Sequence, residues 1–349
     1  MGMLALFLVC GAAIARQIWA VQTSGIQTNL RGLSVVRGPI ASSEAVVWAS
    51  GSNGVVLRSD NGGASWSRLH VEGGDTLDFR GVRAIDTTTA YLMSSGEGDK
   101  SRIYKTADGG QTWEMQYTDK RPKFFLDALV CATDTKCFAL GDPIDYKFLI
   151  LTTEDGKTWK ELPGDNMPVA IAGEGAFAAS GTALALYGGT NIYFGTGGGS
   201  KARVFRSEDL GRTWTVSETP VAAGNASSGI FSVVRVGNTV VAVGGDYREI
   251  AKSSSVAAYS TDQGATWKLA SQFPGGFRSA IASLESSTLI AAGPSGEDIS
   301  QDLGKTWTQM DSIDMNAVAA LDGSNAWAAG AHGQVIRYFD AGYSGRSGK

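Results

Sequence analysis

The octapeptide Ser-x-Asp-x-Gly-x-Thr-Trp recurs along this chain, and a unit repeated at nearly even spacing restricts the fold to a stacked or circular array. It is complete at 207–214, 260–267 and 300–307. Looser copies lie at 59–66 with Asn61 in the acidic slot, at 106–113 with Asp108, and at 152–159 with Glu154. The closing tryptophans, Trp66, Trp113, Trp159, Trp214, Trp267 and Trp307, stand 47, 46, 55, 53 and 40 residues apart. That length holds four antiparallel strands and their connections. Within a copy, a short acid or amide accepts hydrogen bonds from turn amides, Gly permits positive φ, and Trp leads into the following strand. Apolar runs flank each copy, as in Val55-Val56-Leu57 and Ile103-Tyr104, which places the octapeptide in a hairpin turn. Asp108, Asp209, Asp262 and Asp302, with Trp113, Trp214, Trp267 and Trp307, read as staples of the fold.

A second period counts the units. An apolar strand ending in Gly appears at 48–51, 92–96, 138–141, 193–195, 241–244, 290–293 and 327–330, seven times in all. The seventh unit has a third strand at 335–339 but no octapeptide and no fourth strand after it. The N-terminal segment Ile18-Trp19-Ala20-Val21-Gln22 supplies the missing strand, closing the ring without an exposed edge. The prediction is all-β: a seven-bladed β-propeller of four-stranded antiparallel blades over 16–340, the last blade completed by the N-terminal strand, with a flexible tail at 341–349.

The octapeptide is the Asp box, and the chain resembles the Asp-box (BNR) repeat β-propellers, which include sialidases. Over most of its length, in units such as Trp48-Ala49-Ser50-Gly51-Ser52-Asn53-Gly54-Val55-Val56-Leu57-Arg58-Ser59 followed by the box, it is similar to the photosystem II stability/assembly factor family and its bacterial relatives. That resemblance implies a non-catalytic propeller that assists the assembly of a membrane complex. The sialidase resemblance implies paired carboxylates and three arginines on an acidic sugar, but the family's Phe/Tyr-Arg-Ile/Leu-Pro motif is represented here only by Phe79-Arg80-Gly81-Val82.

Composition narrows the function. The 46 glycines among 349 residues suit a turn-rich chain, and the 30 basic and 34 acidic residues leave a net charge of −4, which disfavours nucleic acid and anionic lipid as partners. Residues 1–15 form an uncharged apolar run ending in Ala13-Ile14-Ala15, which reads as a secretory signal peptide too short to span a bilayer. Cys10 raises a lipoprotein alternative. A secreted or periplasmic location is expected, as a monomer without a transmembrane segment after cleavage. Export would let Cys131 and Cys137, on neighbouring strands, form a disulfide. Inert thiols and a catalytic thiol are the alternatives, the last needing a His partner in a chain with only His70 and His332. Two histidines disfavour a metal site, and Gly195-Thr196-Gly197-Gly198-Gly199 lies between strands and not before a helix, so neither metal nor cofactor is expected.

Hairpin parity locates the working surface. The loops between third and fourth strands share one face with the Asp boxes, while the loops between second and third strands and between blades lie on the other. On that other face the candidate ligand-binding residues are Arg31, Arg80, Glu97, Asp127, Asp142, Glu174, Arg203, Asp246, Tyr247 and Arg278. Arg31, Arg80, Asp127, Glu174 and Arg278 are expected to ring the channel mouth. The aromatics of Phe124-Phe125, Phe177 and Phe231 suit stacking on a sugar or packing on a partner. Two functions fit: a binding or assembly module for a protein or carbohydrate-like ligand, and a glycoside hydrolase with carboxyl groups drawn from Asp127, Glu174 and Asp142.

Overall fold

The computed structural model describes residues 17–39 and 44–340. The expected leader and C-terminal tail lie outside the described residues. Seven four-stranded antiparallel sheets follow one another, each strand pairing with the next in sequence. The first strands of successive blades, Leu30–Arg37, Phe79–Ala84, Leu126–Cys131, Leu184–Tyr187, Ser228–Val236, Ala280–Ser283 and Met315–Asp322, contact their neighbours around the circle and line its axis. The seventh sheet is completed by Gln17–Thr23, paired antiparallel along the whole of Gln334–Asp340 from Gln17 opposite Asp340 to Thr23 opposite Gln334. Gln334–Asp340 therefore has a partner on both sides, and the seventh blade has four strands like the other six.

The core lies between blades. Seven apolar clusters each span two adjacent blades, such as Val46, Trp48, Val56, Leu92 and Tyr104 between blades one and two. Strands covered on both faces read as continuous apolar runs, which is why Ala45–Gly51 and Ala90–Ser94 are buried throughout.

The Asp boxes lock the third and fourth strands. In blade four, Asp209 accepts from the Thr213 amide at 2.9 Å, from Thr213 Oγ1 at 2.7 Å and from Ser207 Oγ at 2.9 Å, while Ser207 Oγ accepts from the Gly211 amide at 2.8 Å. Leu210 and Gly211 both take positive φ, 62° and 84°, and a Cβ on Gly211 would stand 2.7 Å from Leu162 of the preceding blade. The positive φ favours glycine at 211, and Leu162 would have to shift for any larger residue there. Asp108, Asp262 and Asp302 accept from their Thr112, Thr266 and Thr306 in the same way.

The third blade departs from the sequence reading. Asp155, not Glu154, fills the acidic slot there, accepting from Thr153 Oγ1 at 3.0 Å and from the amides of Lys157 and Thr158 at 2.8 and 2.7 Å. Glu154 points away to Lys136 at 2.8 Å. The turn is one residue shorter, so the hydroxyl that anchors it is Thr153 and not Thr152. Beside it, Cys131 and Cys137 face each other across the first hairpin of the blade and are joined by a disulfide.

Candidate functional site

The four-strand order in every blade brings each first strand in from the face opposite the Asp boxes. In five blades the register slips at the same place, just after that strand begins: between Leu30 and Gly32, Phe79 and Gly81, Leu126 and Ala128, Ile230 and Ser232, and Met315 and Ala317. The residues passed over are Arg31, Arg80, Asp127, Phe231 and Asn316. A β-bulge re-aims a side chain, and these five all line one cavity of about 480 Å³ at the channel mouth. Asp142, Phe125, Phe177, Phe277, Tyr247, Pro294 and Ser279 complete much of its wall.

The floor is a strap that crosses the axis. Between blades three and four the chain runs from 162 to 183 without a strand, apart from isolated bridges. Arg80 Nη1, in blade two, donates to the carbonyl of Ala178 at 3.1 Å, and Ser180 Oγ donates to the carbonyl of Ser279, in blade six, at 2.8 Å. A Cβ on Gly181, φ 72°, would come within 3.2 Å of the Arg80 carbonyl, so the strap lies flat on blade two.

The wall has two halves. One is aromatic: Phe177 stacks on Phe231 at 3.8 Å between ring centroids, Phe277 meets Phe231 edge-on at 4.6 Å, and Tyr247, 44 % exposed, edges it at 6.1 Å. The other half carries charge. Arg80 Nε is held by Asp78 at 2.8 Å. Arg31 has a buried Nε without a hydrogen-bond partner, and burial together with the neighbouring Arg80 charge lowers its pKa, against the pull of Asp78. Asp127 is 1 % exposed and neither carboxyl oxygen has a partner. Burial, reinforced by Asp142 and opposed by Arg80, pushes its pKa well above the usual carboxylate range. Burial also raises Asp142 to about 6, although the Ala176 amide donates to it at 3.0 Å. The charged half thus sets two guanidinium groups against Asp78 and Asp142, with Asp127, the most buried of the three acids, biased toward its protonated form.

Arg31, Arg80, Asp127, Asp142 and Tyr247 thus meet in one cavity, and the other candidates lie elsewhere. Arg278 is fully buried: Nε donates to Asp298 at 2.6 Å and Nη1 to Ser295 Oγ at 2.7 Å. Gly51, Gly141, Gly244, Gly293 and Gly330 each lie against a carbonyl near the start of their blade's first strand, of Asn29, Phe125, Gly229, Phe277 and Asp314. Counting from these, Arg278 matches the inward Leu30 and Leu126, while Ser279 takes the place of Arg31. One residue of register turns a side chain to the other face. Glu174 and Arg203 form a buried pair, with Arg203 Nε on Glu174 at 2.8 Å and Thr196 Oγ1 at 2.6 Å, where they fasten the start of the strap. Asp246 is engaged with Asn225 at 3.0 Å and the Arg248 amide at 2.9 Å in a separate hollow, and Glu97 is exposed on the rim. Asn316 had no place among the sequence candidates, its only signal being its offset from the glycine that ends the facing strand.

Comparison with known proteins agrees with this architecture. The BNR/Asp-box repeat model matches residues 258–269. The chain is thus a seven-bladed β-propeller that carries Asp-box repeats. It is 31 % identical over 72 residues to the photosystem II assembly lipoprotein Ycf48 of Synechococcus sp. (strain CC9902), a match covering 21 % of this chain and only 20 % of that protein. Two solved structures share the fold at 14 % identity and a TM-score of 0.65: YCF48 bound to D1 peptide, with 92 % of this chain and 96 % of that one covered, and YCF48 from Cyanidioschyzon merolae, with 92 % and 98 % covered. The likeness to the Ycf48 propellers thus extends through all seven blades as fold, and through a fifth of the chain as sequence.

Proposed function

We propose that this propeller is a binding module whose mouth cavity holds an extended, acidic segment of a partner protein, in the manner of an assembly factor. The observation that carries this is the meeting, in one cavity, of the Arg31 guanidinium, whose Nε has no hydrogen-bond partner, with a stacked aromatic shelf. Arg pairs two-pronged with carboxylate oxygens, and a rigid aromatic wall accepts the side chain beside it. A structurally similar propeller, YCF48, is described as bound to a peptide, which favours peptide over sugar. The disulfide and the lipoprotein relative support an extracytoplasmic setting. Among the described residues no helix is long and apolar enough to cross a membrane. Fluorescence anisotropy against matched acidic, neutral and basic peptide libraries tests the reading. Selection of acidic peptides, weakened at least ~10-fold by Arg31→Glu and by Phe231→Ala, is expected. Equal retention of all three libraries overturns it.

A glycoside hydrolase is the second reading, favoured by two carboxyl groups, Asp127 and Asp142, sharing a cavity with raised proton affinity. Glu174, tied to Arg203, is not available to such chemistry. Turnover of chromogenic glycosides abolished by Asp142→Asn supports it, and no turnover across the panel excludes it for those sugars.

A further inference from the structure

Beneath the strap the channel continues toward the Asp-box face as a second hollow of about 210 Å³. Ser34, Thr182, Ser283, Val318 and Ala320 are part of its wall, and Arg83 is the single charged residue in it. Arg83 stands on the first strand of blade two, one bulge and two residues beyond Arg80, so it points into the axis below the strap.

Arg80 pairs with Asp78, Arg203 with Glu174 and Arg278 with Asp298, and Arg31, though unpaired, has Asp78 as an acidic neighbour. Arg83 differs from all four in having no acidic group acting on it. Among the described residues Arg83 has no hydrogen-bond or ion-pair partner. It is open to channel solvent but encircled by the first strands, so desolvation lowers its pKa, and no acidic neighbour offsets that effect. The hydroxyls around it are already linked: Thr182 Oγ1 to Ser180 Oγ at 2.6 Å and to Ser232 Oγ at 2.7 Å, and Ser34 Oγ accepting from the Ala84 amide at 3.0 Å. A cation enclosed by neutral walls draws an anion from solution, because solvation by a narrow channel is weaker than by bulk water.

We propose that Arg83 anchors a small oxyanion, of phosphate or carboxylate chemistry, on the axis of the propeller. The planar guanidinium presents parallel donors that match two oxygens of one such group, which a halide cannot match. The hollow has room for an inorganic phosphate and is separated by the strap from the mouth cavity, so the site is independent of the peptide reading.

Isothermal titration calorimetry of the full chain with inorganic phosphate, and separately with acetate and sodium chloride, tests this. One saturable site for phosphate or acetate is expected, weakened at least ~10-fold in Arg83→Met and unchanged in Arg31→Met. Thermal unfolding without phosphate serves as the folding control: removing an uncompensated charge should leave Tm equal or higher. Arg83→Lys keeps the charge but loses the fork, and a several-fold loss of affinity is expected. The proposal is overturned by wild-type affinity in Arg83→Met or Arg83→Lys, by loss in Arg31→Met alone, by chloride binding as tightly as phosphate, or by no saturable binding.

Discussion

Arg80 and Ala178, 98 residues apart in sequence, are joined across the propeller axis by a 3.1 Å hydrogen bond from Nη1 to the carbonyl. The same guanidinium is braced by Asp78 at 2.8 Å, so a single side chain ties the strap to blade two while lining the cavity above it. Arg80→Met is expected to destabilise the fold by roughly 1.5–3 kcal/mol, the range for losing a hydrogen bond to a charged group. Its signature is local: faster amide exchange across 176–182 with the blade strands unchanged. Uniform exchange throughout would show that the bond does not hold the strap.

Glu297 sets an unusual pH dependence. It is fully buried beside Asp311, and burial, then hydrogen bonding and charge from Asp311, raises its pKa to about 10 against the opposing pull of Arg278. The fold thus prefers the protonated acid. Its contribution is complete below the unfolded value near 4.5 and is lost progressively as pH rises toward 10. Glu297→Gln mimics the neutral form, so at pH 8 it should exceed the wild type in stability by up to about 5 kcal/mol, with the gap closing at pH 4. Urea denaturation at both pH values reads the difference, and a constant gap refutes the assignment.

Asp142 makes ligand binding pH-dependent in a defined direction. Its pKa is raised to about 6, so protonation on going below that value removes a negative charge from the cavity. Affinity for an acidic peptide should rise as pH falls from 7.5 to 5.5, and Asp142→Asn should flatten the profile. An identical profile in the variant would place the titrating group elsewhere.

The Cys131–Cys137 bond closes a short loop, sequence separation 6, for which the chain-entropy account gives roughly 2 kcal/mol. The double Ser variant should unfold at a correspondingly lower urea midpoint, and adding reductant should shift the wild type but not the variant. Equal midpoints for wild type and variant would mean that the bond adds no net stability.

The third Asp box offers a paired comparison. Asp155 accepts the two turn amides and the Thr153 hydroxyl, whereas Glu154 makes an exposed ion pair with Lys136. Asp155→Ala should lower Tm while Glu154→Ala leaves it unchanged, surface pairs contributing little. A larger loss from Glu154→Ala would restore the frame in which Thr152 begins the box.

The blade number and the closing of the ring were legible because both follow from periodic features: the box tryptophans and the apolar strands ending in Gly. The blade-three frame was less so, since Thr152 and Thr153, and Glu154 and Asp155, satisfy the pattern equally and only turn length separates them. Arg31, Arg80 and Asp127 were legible as an address, yet Arg278 shared that address by eye and fell one residue off it in register. The strap left no pattern at all. Its path is fixed by bonds to Arg80 and Ser279, residues of blades two and six, which no local spacing records.

The pairing of Gln17–Thr23 with Gln334–Asp340 makes one blade out of two distant stretches of chain. Seventh-blade formation therefore waits on both, so removing either segment strips the other of its partner and leaves a bare strand able to recruit a neighbouring molecule.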